Sequence, residues 1–181
     1  MRNICVFCGS RPGRSDHYRD MAAMLGTRLA EADYGLVYGG GRIGLMGALA
    51  DAALSAGGRV TGVIPEQLMR REVAHSGLYR LEVVGDMLVR KQRMIELSNA
   101  FITLPGGLGT LDELFEVLTW FQLGMHEKPM LLVDDSGYYD SLMDWLKTAE
   151  DEGFLRPEDR EALRLCASVD EAIRELEEML S

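Results

Sequence analysis

A short apolar run, Phe101-Ile102-Thr103-Leu104, ends in the turn Pro105-Gly106-Gly107-Leu108-Gly109, and a helix opens directly after it with Thr110-Leu111-Asp112-Glu113. Glycines allow positive φ and let backbone approach a ligand closely. The first N–H groups of a helix lack intrahelical partners and sit at the positive end of its dipole. Such a turn suits a phosphate. Glu113 places a carboxylate in the same first turn, so the pattern points to a phosphorylated substrate with chemistry beside it. Thr110-Leu111-Asp112-Glu113 is also a T-x-x-E capping box, in which Glu113 would only bond back to the Thr110 backbone. A plain cap needs no Pro-Gly-Gly-x-Gly ahead of it, which favours a ligand or catalytic role for Glu113.

Other motifs carry less. Gly39-Gly40-Gly41-Arg42-Ile43-Gly44 fits G-x-G-x-x-G. It follows the second strand rather than the first, and the acid expected about twenty residues on would have to be Glu66, beyond Pro65. A tight turn near a ligand is the better reading than a dinucleotide site, and this disfavours an oxidoreductase. No Gly-Lys-Ser/Thr occurs, so there is no Walker loop. Cys5 and Cys8 form a C-x-x-C, but on a strand rather than opening a helix, and read as small buried residues rather than a redox pair. His17, His75 and His126 lack metal-ligand spacing, and no metal is expected. Arg90-Lys91 on its own reads as a solvated pair, although an arginine can clamp a phosphate or carboxylate in fixed geometry.

The elements that must position these groups alternate. Strands are expected at Asn3–Cys8, Gly35–Tyr38, Arg59–Ile64, Leu81–Val84, Ala100–Leu104 and Met130–Val133. Helices are expected from the Tyr18, Met21, Ala22, Leu25, Leu29 stripe, capped by Ser15 or Asp16, and over Leu45–Ala56, Met87–Leu97, Thr110–Phe121 and Tyr139–Glu152. Residues 66–80 read as irregular, and the box Ser168-Val169-Asp170-Glu171 opens a last helix. The strands are continuous apolar runs, the pattern of a parallel sheet covered on both faces. The expectation is one α/β domain over residues 1–181: a doubly wound, Rossmann-like, mainly parallel sheet with helices on both faces. The turns after Cys8, Tyr38 and Leu104 then share one edge of the sheet.

The chain has 181 residues, 47% of them hydrophobic, enough for a full core. Its net charge of −10 argues against a nucleic-acid partner. That excess lies wholly in residues 134–181, whereas 69–93 is locally basic. No apolar run is long enough to span a bilayer. Met1-Arg2-Asn3 leads straight into a strand, and an odd count of three cysteines suits a reducing compartment, so a cytoplasmic location is expected.

Taken together, Pro105-Gly106-Gly107-Leu108-Gly109-Thr110-Leu111-Asp112-Glu113 resembles the P-G-G-x-G-T-x-x-E motif of the LOG ("lonely guy") family, the cytokinin riboside 5′-monophosphate phosphoribohydrolases. The resemblance continues in Phe7-Cys8-Gly9-Ser10, Gly39-Gly40-Gly41, Gly44-Leu45-Met46-Gly47 and Thr119-Trp120-Phe121-Gln122-Leu123-Gly124, and covers residues 3–155. It implies a Rossmann-like fold and hydrolysis of the N-glycosidic bond of adenine-type nucleoside 5′-monophosphates to free base and ribose 5-phosphate, with no cofactor. It implies Arg90 and Glu113 as catalytic residues. It implies substrate contacts at Glu72, Arg90, Lys91, Gly107, Leu108, Gly109, Thr110, Leu111, Asp112, Glu113 and Thr119, with Gly9 and Ser10 assisting at the phosphate. A homodimer with shared sites is implied too. The family's usual Met-His-x-Arg-Lys is here Met87-Leu88-Val89-Arg90-Lys91, a departure that bears on substrate preference more than on the reaction. Relatives are often labelled lysine decarboxylases, but nothing in the sequence points to a pyridoxal phosphate site. The competing class is a non-enzymatic nucleotide binder or sensor on the same fold, for which the pair Arg90 and Glu113 would be needless.

Overall fold

The computed structural model describes residues 1–69 and 74–181. Among the described residues, seven strands are interleaved with helices: β1 (Asn3–Phe7), α1 (Asp16–Glu31), β2 (Gly35–Tyr38), α2 (Gly44–Ser55), β3 (Val60–Pro65), a 3-10 turn (Glu66–Leu68), β4 (Arg80–Val84), α3 (Met87–Glu96), β5 (Ala100–Thr103), α4 (Leu108–Gln122), β6 (Met130–Val133), α5 (Asp140–Asp151), α6 (Pro157–Glu161), β7 (Leu163–Cys166) and α7 (Val169–Met179). The sheet is parallel throughout, in the order β4-β3-β2-β1-β5-β6-β7. Chain order reverses direction at β1 and β5, so their carboxyl ends flank the switch point where such sheets hold ligands.

The pleat explains the two cores. Along β1, Ile4, Val6 and Cys8 point to the face covered by α1, α2 and α7, while Cys5 and Phe7 point to the face covered by α3, α4 and α5. Cys5 and Cys8 are therefore free, buried and on opposite faces. Burial, with the field of Glu113 behind it, pushes both thiols well above their ordinary range. This is the inert condition of buried thiols rather than that of a reactive pair.

Local signals hold at two helix starts. The Ser15 hydroxyl accepts from the His17 amide at 3.2 Å, so Ser15 rather than Asp16 caps α1. The Ser168 hydroxyl accepts from the Glu171 amide at 3.1 Å and opens α7. The sequence pattern did not yield α6 or β7. β7 is an edge strand, Leu163-Arg164-Leu165-Cys166, buried only at its two ends, so it carries no apolar run.

One half-buried group ties stability to mild acid. The His126 ring lies between Phe101 and Phe121, at 5.4 and 6.1 Å. It bonds the Val117 carbonyl through Nε2 at 2.8 Å and accepts the Lys128 amide at Nδ1 at 3.1 Å. Those partners fit the neutral ring. Burial lowers its pKa from 6.5, the Val117 bond opposes this, and Lys128 adds to it. Between 6.5 and the lower folded value, the unfolded chain binds the extra proton. Stability is thus complete above about pH 6.5 and is lost as pH falls through the folded pKa. We expect Tm to decline as pH drops from 7 toward 5, and His126→Gln to decline less over that interval. Parallel curves for the two proteins would exclude His126 as the source.

Candidate active site at the carboxyl edge of the sheet

The turn after β5 is locked to β1. The Leu104 amide donates to the Phe7 carbonyl at 2.9 Å, and the Gly9 amide donates to the Pro105 carbonyl at 3.2 Å. Gly106 must lack a side chain, because a Cβ there would run into the Thr110 hydroxyl and come within 2.9 Å of the Gly9 amide. Helix α4 then begins at Leu108, two residues before the start read from sequence, with Gly107 as its N-cap. No side chain caps it, and no acid lies in its first turn. Thr110 is thus inside the first turn, buried, and cannot be an N-cap. The capping-box reading of Thr110–Glu113 is overturned: Glu113 lies past the first turn and is not a capping partner.

Glu113 and Arg90 meet across the crevice. Arg90 Nη2 lies 3.9 Å from Glu113 Oε1, with the two side chains only 6% and 11% exposed. The solvated reading of Arg90 fails because strand ends receive its guanidinium. Nε donates to the Val63 carbonyl at 3.1 Å, and Nη2 to the Gly39 carbonyl at 3.2 Å. The Val63 carbonyl lies within β3, two residues before its carboxyl end, and the Gly39 carbonyl directly follows β2. A Cβ at Gly39 would overlap Arg90 Nη2 and press on Met46, so any larger residue there displaces the guanidinium. The glycine triplet after β2 therefore serves to seat an arginine.

Arg90 and Glu113 line one cavity of 590 Å³ together with Gly9, Ser10 and the Gly107–Thr110 segment. Lys91, Leu111 and Asp112, three of the remaining expected positions, do not line it. Lys91 Nζ lies 2.5 Å from Glu116 and 3.2 Å from Asp112, bridging α3 to α4. Burial works against the Lys91 charge, but Glu116 and Asp112 outweigh it and hold its pKa up. Leu111 packs into the core beneath α4. Thr119 is exposed and lines a different groove of 460 Å³, between Phe115 and Trp145 on the far side of α4. Glu72 lies outside the described residues. Sequence reasoning missed Arg11, Tyr18, Met87 and Tyr138, which also line the cavity. Only their places beside strand ends could have signalled them. Among the described residues, no three His, Cys, Asp or Glu side chains gather as a metal site. Among those residues, too, no helix is long and apolar enough to cross a membrane.

Fold and crevice define a doubly wound α/β protein with a glycine-lined site at its switch point. The fold agrees with that of a solved molybdenum cofactor binding protein from Rippkaea orientalis (TM-score 0.77, 20% identity, covering 100% of this chain and 99% of that one). The family model described as "Possible lysine decarboxylase" matches residues 46–176. A cytokinin riboside 5′-monophosphate phosphoribohydrolase of Rhodococcoides fascians is 49% identical over 173 residues, 95% of this chain and 87% of that protein. One from Arabidopsis thaliana is 46% identical over 177 residues, 98% of this chain and 83% of that protein. The chain belongs to this LOG family of phosphoribohydrolases.

Proposed function

We propose that the chain hydrolyses the N-glycosidic bond of adenine-type nucleoside 5′-monophosphates, AMP or N6-substituted cytokinin nucleotides, releasing the base and ribose 5-phosphate. The observation that carries this is the position of Glu113. It lies five residues into α4, roughly 7 Å along the axis from the uncapped amides. The 5′-phosphorus and the anomeric carbon of a nucleotide are five bonds apart, a separation that fits within that rise. With the phosphate on the amides of Gly107–Thr110, the Glu113 carboxylate faces the carbon whose bond breaks.

Cleavage builds positive charge on the sugar. A fixed carboxylate stabilises that charge and can accept a proton from the attacking water. A guanidinium has only donors, so Arg90 orients Glu113 rather than acting as a base. The water adds to the anomeric carbon, its proton goes to Glu113, and the bonding pair leaves with the base. Among the described residues no lysine lines the cavity. An amino-acid decarboxylase using an internal Schiff base would need one there, so the donor set favours the hydrolase over the decarboxylase description.

Incubation with AMP and N6-isopentenyl-AMP, followed by detection of free base and ribose 5-phosphate, tests the reading against a non-enzymatic sensor, which would bind and release nothing. Adenosine is expected to be a poor substrate. Several charge-assisted bonds at ~1.5–3 kcal/mol each lower kcat/KM at least about 100-fold when the phosphate is absent. Comparable kcat/KM for adenosine and AMP would remove the phosphate cradle.

A homodimer and a cytoplasmic location belong to the same proposal. The dimer is supported by Thr119, which lies in a separate groove from Glu113, and by Leu123, Met125 and Phe154, exposed beyond the ends of α4 and α5. A second copy would account for both. The three free, buried thiols accord with a reducing compartment.

A further inference from the structure

We propose that Tyr138 is a positioning residue, whose hydroxyl fixes the direction of the Gly106–Gly107 peptide and thereby the polarity of the phosphate cradle. The inference rests on the hydrolase reading for its substrate but on separate residues for its geometry.

The weak point of the cradle is its own composition. A peptide flanked by two glycines can rotate as a unit at little steric cost, because neither side carries a Cβ. Rotation would put a carbonyl oxygen where an N–H should be. Gly107 has φ −99° and ψ −154°, and its added Cβ would meet nothing, so its own surroundings do not resist the flip. The Tyr138 hydroxyl donates to the Gly106 carbonyl at 2.5 Å and resists it from outside. In a trans peptide the next N–H points opposite to that carbonyl. Anchoring the Gly106 oxygen on Tyr138 thus turns the Gly107 amide away from Tyr138, and it occupies a lone pair that would repel an anion at the rim.

Tyr138 is itself held. The Asp134 carboxylate accepts from the amides of Ser136, Tyr138 and Tyr139 at 3.2, 2.9 and 2.6 Å. The Tyr138 ring makes edge contacts with Tyr139 and Tyr18, at 4.8 and 5.8 Å between centroids. Tyr139 is buried and donates to the Leu104 carbonyl at 2.8 Å, on the other side of Pro105. Tyr139 anchors the strand end and touches the Gly106 backbone from the buried side, whereas Tyr138 takes the Gly106 carbonyl at the mouth of the cavity it lines.

The test compares Tyr138→Phe and Tyr139→Phe with the unaltered chain by calorimetric titration of ribose 5-phosphate and adenosine, and by AMP kinetics. Loss of one charge-assisted contact predicts ribose 5-phosphate binding about tenfold weaker in Tyr138→Phe, with adenosine binding unchanged. The phosphate is gripped alike in ground and transition states, so KM for AMP rises by the same factor while kcat stays within about twofold. Tyr139→Phe is expected to lower Tm without altering the preference for the phosphorylated ligand. The assignment is overturned if Tyr138→Phe binds ribose 5-phosphate normally. It is also overturned if that variant loses both ligands equally, or if Tyr139→Phe reproduces its selectivity change. An unaltered chain that discriminates ribose 5-phosphate but releases no base would remove the hydrolase reading and leave Tyr138 in place. One that does not discriminate would overturn both.

Discussion

Glu113→Gln is expected to cut release of adenine from AMP by ~10²–10⁴-fold while the nucleotide still binds. Glutamine keeps the shape of a side chain that is only 11% exposed, so the cavity is not reshaped. What disappears is the negative charge facing the sugar cation and the acceptor for the water's proton. Both matter more in the transition state than in the ground state, so kcat falls and nucleotide affinity does not. Single-turnover release of base, set beside a binding titration, separates the two. Turnover within tenfold of the unaltered chain would remove Glu113 from the chemistry.

The second large effect comes from Gly39, which does no chemistry. Gly39→Ala puts a methyl group where Arg90 Nη2 lies and leaves both Arg90 and Glu113 in the sequence. The guanidinium must move off the Gly39 carbonyl, and its position 3.9 Å from Glu113 goes with it. A displacement near 1 Å can cost about 10²-fold in rate, and that is the expected fall in kcat/KM for AMP. Arg90→Lys should fall at least as far, since an ammonium cannot serve the Val63 carbonyl and the Gly39 carbonyl with one fixed fork. Unchanged kinetics in Gly39→Ala would mean that the seating of Arg90 is irrelevant to the reaction.

Particular residues show what the sequence made legible. The strands of the sheet centre could be read because they are buried on both faces and need unbroken apolar runs, as in Ile4–Phe7 and Leu131–Val133. β7 could not, because an edge strand with Arg164 in it escapes that demand. Pro-Gly-Gly-x-Gly marked the turn before α4 correctly, but glycines signal a turn more strongly than a helix. The sequence pattern therefore starts α4 two residues late, and the T-x-x-E box that competes with the ligand reading does not form. Glu113 stood out through that motif. Arg90 did not, since an arginine on an amphipathic helix is usually solvated. Only the fold brings the ends of β2 and β3 beneath it. Family resemblance supplied what periodicity could not. Tyr138 had no signal beyond its position after β6, because a hydroxyl's partner 32 residues away is a property of the folded chain.

The central claim is that one nucleotide lies with its phosphate on the start of α4 and its anomeric carbon at residue 113. A crystal structure of the Glu113→Gln variant bound to AMP tests it most directly. The account predicts phosphate oxygens within hydrogen-bond distance of the Gly107–Thr110 amides, with the ribose C1′ turned toward Gln at position 113 and the Arg90 guanidinium alongside. A phosphate held elsewhere, or an anomeric carbon facing away from residue 113, would contradict it.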